Sequence, residues 1–300
     1  MADPLPLDQL YRLSDMSEAD AEQFWTGWTA VPDERRRVIM RHLADISEEN
    51  FVVDFVPIFA KAIADPFAPV RVAALDGVWD ATSTSLVRPI INLLQTDVDE
   101  EVRAAAASAL AHYVLLAEWN QLPAHISPSI VEALLAEYDK VETAVAIKRS
   151  ALEALGAANH PRVPHLIEEA YEHDQLEMQL SAVFAMGNSA DSRWLPIVIS
   201  EMQSPSEDMR AEAARAAGSI GGSDAVEALA NLIVDEELLV ALAAVESLGQ
   251  IGSEQAMEIL QSLIGDPDFE ALHEAVEDAM EEMAWLSGDV DFNWLDVDEE

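Results

Sequence analysis

Apolar residues fall along this chain at spacings of three and four, in a pattern that recurs. Val70, Ala74 and Val78 lie four apart, as do Val240, Ala244 and Leu248, and each trio forms one stripe of an α-helix. Taking Arg71, Arg103, Lys148, Gln179, Arg210, Ala241 and Leu272 as anchors brings such trios into register. The last five anchors are 31 residues apart and the first two 32. Three positions after every anchor stands alanine: Ala74, Ala106, Ala151, Ala182, Ala213, Ala244 and Ala275. Seven positions after come Val78, Leu110, Leu155, Met186, Ala217, Leu248 and Ala279. The interval of 45 between Arg103 and Lys148 is one period plus 14 residues, so an insertion falls around His112 to Pro128.

Each period reads as two helices. The second carries the anchor stripe, with a central alanine small enough to let a neighbouring helix approach. The first is equally apolar, as in Phe55 to Ile63, Leu86 to Leu94, Trp194 to Met202, Val226 to Val234 and Met257 to Ile264. Pro57, Pro89 and Pro196 stand fourteen residues before their anchors, where proline suits a helix start. Asp65, Asp97, Asp174, Asp235 and Asp266 fall in the turn between the two helices, where a short carboxylate accepts from free N–H groups. Gly156, Gly187, Gly218 and Gly249, eight after their anchors, read as C-terminal caps in the left-handed conformation. Strand signals are nearly absent. The expected fold is all-α: a right-handed α-solenoid of about seven two-helix repeats with an N-terminal helical cap.

The run Asp65-Pro66-Phe67-Ala68-Pro69-Val70-Arg71-Val72-Ala73-Ala74-Leu75 resembles the HEAT-repeat signature. Residues 97–107 and 204–214 repeat it, and Leu155-Gly156 and Leu248-Gly249 carry its leucine–glycine ending. The 31-residue spacing is similar to the short bacterial HEAT repeats found also in phycobilin-lyase-type proteins. The resemblance covers residues 51–287. It implies a binding surface, and an anchor arginine paired with a neighbouring turn aspartate. That ladder should fail where the anchors become Ala241 and Leu272.

Terminal repeats have only one neighbour and must differ from the rest. Residues 1–50 fit an N-terminal helical cap, with Ser17-Glu18-Ala19-Asp20 resembling a capping box. Residues 51–287 are the solenoid, ending in a helix from Phe269 to Leu286 with a polar outer face. Residues 288–300 form an acidic tail around Phe292, Trp294 and Leu295 that is expected to be disordered.

Composition narrows the function. The 300 residues carry 57 acidic and 16 basic side chains, a net charge of −41, and no cysteine. Disulfides, thiolate metal sites and cysteine nucleophiles are thereby excluded. A nucleic acid partner is not expected, because it requires a cationic face. No stretch of 18 apolar residues occurs, and Met1 to Pro6 has neither a basic n-region nor an apolar h-region, so a cytoplasmic protein with no membrane partner is expected.

Candidate chemistry is sparse. His165, Glu169 and His173 share one helix face, but no fourth ligand accompanies them, so solvated side chains are the expectation. HEAT-repeat di-iron hydroxylases are expected to carry several His-Glu pairs, and the one pair here is His273-Glu274. Asp289, Asp291, Asp296 and Asp298 lack the remaining ligands and glycine of a calcium loop. Gly218, Gly221 and Gly222 follow a helix, not the strand a phosphate loop needs. Arg35, Arg36 and Arg37 follow Asp33 and Glu34 and read as a solvated helix face. Neither catalysis nor a cofactor is expected.

What remains is surface. Positions two and five after each anchor are expected to line the concave side. Position five reads Asp76, Ser108, Glu153, Phe184, Arg215, Glu246 and Glu277, and four residues on come Asp80, Asn188, Gln250 and Glu281. This is an acidic ridge with one apolar feature, Leu180 and Phe184. It suits a basic protein partner, and the expected role is a non-catalytic scaffold or adaptor. The alternative is a phycobilin-lyase-like chromophore or assembly factor, for which Trp79, Trp119 and Tyr113 are candidates, although core or insertion packing also accounts for them. A salt-rich cytoplasm would equally favour acid, with 3 lysines among the 16 cations. The acid is graded: residues 216–300 hold 22 acidic groups and no lysine or arginine.

Overall fold

The structure, a computed structural model, describes residues 7–14, 16–50 and 52–287. The tail 288–300, with its aspartates and aromatics, lies outside them. Among the described residues there is no strand, and the fold is an all-α solenoid built of helix pairs. It divides into two compact units, Met1–His160 and Pro161–Glu300.

The first unit opens with α1 (Leu7–Leu10), α2 (Glu18–Trp28) and α3 (Asp33–Glu49). Three pairs follow: α4 (Val56–Ala62) with α5 (Ala68–Asp76), α6 (Val87–Thr96) with α7 (Glu100–Glu118), and α8 (Ser127–Asp139) with α9 (Val145–Leu155). The second unit holds four pairs: α10 (Val163–Tyr171) with α11 (Leu176–Asn188), α12 (Leu195–Glu201) with α13 (Glu207–Ile220), α14 (Ser223–Leu232) with α15 (Leu238–Ile251), and α16 (Glu254–Leu263) with α17 (His273–Ser287). Within the first unit α3, α5, α7 and α9 pack one on the next, and in the second α11, α13, α15 and α17 do the same. The insertion lengthens α7 through Glu118 and adds the loop before α8.

The periodic alanines explain this stacking. Ala74, Ala106, Ala151, Ala182, Ala213 and Ala244 are all fully buried, and Ala275, on the last helix, is half-buried. Larger residues from the first helices, such as Ile58, Phe59, Ile90 and Leu94, close the core, each contributing about 1.5–3 kcal/mol by its burial. The turn aspartates act as expected with one refinement. Asp65, Asp97, Asp235 and Asp266 each accept from the backbone N–H two residues on, at 2.9–3.0 Å. At the fourth turn His173 Nδ1, not Asp174, accepts from Gln175 N–H.

Several expectations are corrected. Gly187, Gly218 and Gly249 lie inside their helices and are not left-handed caps; among the described residues the positive-φ glycines are Gly221, Gly222, Gly252 and Gly265. Gly156 does end α9, but in the right-handed region. The reason for glycine is proximity: a Cβ on Gly187 would sit 2.8 Å from Ala216 Cα, and one on Gly249 2.7 Å from Ala279 Cβ. Ser17 Oγ accepts from Asp20 N–H, yet the Asp20 carboxylate takes the Ser17 hydroxyl, so the box is not reciprocal. The last helix starts at His273, because Asp266 and Pro267 begin a separate 3₁₀ segment kinked at Phe269.

The largest departure is at Arg36. It is no solvated residue: its guanidinium donates from Nε and Nη2 to Asp65 at 3.0 and 2.9 Å, and both side chains are almost fully buried. The Trp28 indole N–H adds a third bond to Asp65, at 2.8 Å. Burial by itself pushes the Asp65 carboxyl up, and the bonds from Arg36, Phe67 N–H and Trp28 outweigh it, leaving the group below the usual carboxylate range. The segment before residue 50 therefore already carries the ladder contact of the repeats.

Candidate functional site

The ladder sets one edge of each unit. Arg71 Nη2 donates to Asp97 at 2.7 Å, and Arg210 donates two bonds to Asp235 at 2.7 and 2.8 Å. Arg103 turns instead to the Glu137 carboxylate, which is fully buried and shared with Lys140. Lys148 lies over the Tyr138 ring, 5.8 Å from its centroid, and Gln179 donates to the His173 carbonyl at 2.7 Å. At Ala241 and Leu272 no cation exists to make the contact. His273 Nε2 lies 3.2 and 3.1 Å from the Leu263 and Asp266 carbonyl oxygens, covering part of what an anchor arginine would bond.

The ridge of second helices was expected at positions two and five. Position two is buried at Ala73, Ser181 and Ala243, so it lines no surface there. Its turn inward follows from the packing of each second helix on the next. Position five is exposed at Ser108, Phe184, Arg215, Glu246 and Glu277, and half-buried at Asp76 and Glu153.

In the first unit two of the ridge acids are paired. Asp76 accepts from Arg41 Nη1 at 2.7 Å, and Glu153 lies 3.9 Å from Arg149. Burial pushes the Asp76 carboxyl above its usual range, with Arg41 opposing and Glu48 and Asp45 reinforcing. Asp80 is not on a helix: α5 stops at Asp76, with Gly77 pressed against the Phe59 ring, and Asp80 is exposed in the turn beyond. Around Asp76 runs a groove of about 620 Å³ lined by Arg41, Glu48, Trp79, Ser108, His112 and Leu115. Burial lowers the His112 imidazole below its ordinary value, with Asp80 opposing.

In the second unit Phe184, Arg215, Glu246 and Glu277 stand on the successive helices α11, α13, α15 and α17. Leu180 is half-buried beside Phe184, which is 40% exposed, and Glu281 is exposed one turn beyond Glu277. The one cation of this row, Arg215, lies 3.4 Å from Glu212 of its own helix. Among the described residues, Glu246, Glu277 and Glu281 have no cation within reach.

The aromatic candidates separate. Tyr113 is core, its hydroxyl donating to the Ser83 carbonyl at 3.0 Å and pushed up to about 12 by burial. Trp79 and Trp119 are 40% and 61% exposed, so core packing does not account for them. Of the histidine face, His165 is exposed 3.8 Å from Glu168, while His173 spends Nδ1 on a backbone N–H. Among the described residues no three His, Asp or Glu side chains gather as metal ligands, and no helix is long and apolar enough to cross a membrane.

Two features escaped sequence reading: the buried role of Arg36, whose 29-residue spacing to Asp65 differs from the 26 and 25 of Arg71–Asp97 and Arg210–Asp235, and the pairing of the ridge acids Asp76 and Glu153.

Residues 195–281 match the HEAT-repeat family model. Among solved structures the chain is similar to the complex of CpcE and CpcF of phycocyanin lyase from Nostoc sp. PCC7120, at 21% identity, covering 87% of this chain and 95% of that one with a TM-score of 0.59. It is also similar to human deoxyhypusine hydroxylase in complex with glycerol, at 16% identity, 93% and 96% coverage and a TM-score of 0.39. An engineered protein matches at 18% identity, 92% and 78% coverage and a TM-score of 0.40. No curated protein matches the chain. Only the first of these likenesses bears on the fold, and it bears on nothing more. Over residues 195–281, α12 to α17, the sequence thus matches HEAT repeats, and the fold of the chain is similar to that of CpcE and CpcF.

Proposed function

We propose that the chain is a non-catalytic scaffold or adaptor that binds a basic protein partner, met in the cytoplasm, on the ridge of the second unit. One observation carries this reading: Glu246, Glu277 and Glu281 stand exposed and uncompensated on two neighbouring helices while Arg215 is held by Glu212. Such a surface draws a cationic partner by long-range field, and Leu180 with Phe184 supplies an apolar anchor. Asp76, Asp80 and Glu153 contribute less, since Arg41 and Arg149 offset two of them. The test is recovery of basic proteins from native cytoplasm at low and at moderate salt. Glu246→Gln/Glu277→Gln/Glu281→Gln should lose them, and binding indifferent to salt or to this triple variant would sink the reading.

A second reading, a phycobilin-lyase-like chromophore or assembly factor, is favoured by the fold shared with CpcE and CpcF and by the exposed rings of Trp79 and Trp119. A shift in a bilin absorption spectrum on mixing with the chain would support it, and an unchanged spectrum would end it.

A further inference from the structure

In the second unit Arg210 closes the edge between two successive turns by its paired bonds to Asp235, 25 residues ahead. One period later the same two positions are Ala241 and Asp266. The Asp266 carboxylate accepts the Asp268 N–H at 3.0 Å and, among the described residues, meets no cation. His273 covers carbonyls of that turn, not its carboxylate.

Beside this open rung the chain turns apolar where its own repeat is polar. Val234, Leu238 and Leu239 are 71%, 50% and 50% exposed, and their equivalents one period earlier are Gln203, Glu207 and Asp208. Ile264 is 49% exposed in the following turn, where its equivalent Ile233 is buried. The same turns carry the acids Glu236, Glu237, Asp268 and Glu270, with Asp235 already taken by Arg210. Lone exposed aliphatics are ordinary, but four on two consecutive turns, interspersed with one sign of charge, have the character of an interaction surface.

We propose that this edge, formed by the α14–α15 turn and the turn after α16, binds a basic segment of another protein in which an arginine is flanked by aliphatic side chains. The arginine would close the rung at Asp266 in trans, with the planar two-bond geometry that Arg210 uses in cis. The aliphatics would cover Leu238, Leu239, Val234 and Ile264. Charge selects this occupant over the same region of a second copy, since residues 216–300 offer 22 acids and no lysine or arginine in return, and the whole chain carries a net charge of −41. The edge lies in the turns and at the start of α15, whereas the ridge acids Glu246 and Glu277 lie within α15 and α17, and the two readings share the sign of the partner's charge.

The experiment is fluorescence anisotropy of the full chain with a labelled peptide rich in arginine and leucine, against a control with serine in place of leucine. The leucine peptide should bind more tightly, and Leu238→Ser/Leu239→Ser should weaken it about tenfold, the loss typical of a truncated anchor. Asp266→Asn, which keeps the turn acceptor, should weaken it about five- to tenfold, and Ala241→Arg, which closes the rung in cis, comparably. Glu100→Gln/Glu101→Gln, at exposed acids of the first unit, should leave it unchanged. If Ala241→Arg fails to fold, the other two variants decide. Equal binding of both peptides, no binding at low salt, or affinity indifferent to the edge variants would overturn the proposal. Loss confined to the ridge variants would overturn it while sparing the proposed function. Self-association that consumes the edge, seen by sedimentation, would point to a second copy and overturn it as well.

Discussion

The ladder edge of the first unit and the C-terminal end of the second are built on one repeat and handle charge in opposite ways. In the first, Arg36, Arg71 and Arg103 each bond a largely buried carboxylate from the following repeat, so acid becomes structure. In the second, the last such contact is Arg210 with Asp235, and beyond it acid stays on the surface. The repeat thus tolerates loss of its polar edge, because the buried alanines and apolar stripes supply most of the packing. What changes with the edge is what the surface can bind.

The sharpest break in this comparison is at Arg36. Arg36→Ala strips Asp65 of two charged bonds inside the core and should destabilise the chain by about 3–5 kcal/mol, the cost of leaving one partner of a buried pair. Denaturant unfolding checks this, and a loss under about 1 kcal/mol would place the pair among surface bridges. The pair also has a pH signature. The Asp65 carboxyl is lower in the folded chain than in the unfolded one, so its stabilisation is complete above the ordinary carboxylate range and fades as pH falls through the depressed value. Asp235 behaves alike, lowered chiefly by the Arg210 hydrogen bonds. Acid unfolding should therefore be earlier for Asp65→Asn background variants only where pH still leaves wild-type Asp65 ionised.

Next in size are the glycines. Gly187→Ala would gain helix propensity of about 0.5–1 kcal/mol, but its Cβ would meet Ala216 Cα at 2.8 Å. Backbone cannot yield cheaply, so overpacking of about 1–3 kcal/mol should win and the variant should be less stable. Gly27→Ala, in exposed α2 with nothing within 4 Å, should show only the gain, about 0.5–1 kcal/mol. Thermal melts of the two variants moving in the same direction would refute the distinction between a helix contact and a spare glycine.

These glycines mark the limit of what the sequence could disclose. Period, helix pairing and turn aspartates were legible because each is a local rule that recurs along the chain. Gly187 obeys a contact 29 residues away, and without coordinates it has the same appearance as a cap. Arg36 read as solvated because it stands between two other arginines, and only packing of α3 on α5 shows that it turns inward. For the ridge, exposure at position five followed from helix period, whereas Arg41 beside Asp76 is a tertiary contact that no spacing implies. Asp80 was misplaced because Phe59 against Gly77 ends α5 early.

The smallest expected effect concerns salt. Unpaired acids on α15 and α17 repel one another across distances comparable to the Debye length, about 8 Å at 0.15 M salt and shorter above it. Raising salt should therefore stabilise the second unit by a few tenths of a kcal/mol, on the scale of exposed charge pairs. The ladder acids of the first unit, Asp65, Asp97 and Glu137, are in buried ion pairs, which salt screens little, so α5 and α7 should gain less. Hydrogen exchange separates the two: protection of α15 amides should rise with salt while that of α5 and α7 holds. Equal gains in both units would mean that the acidity serves the whole chain as solvent adaptation. A gain confined to α15 and α17 would mean that the C-terminal acid is held against a cost in stability, which is what a surface kept for a basic partner requires.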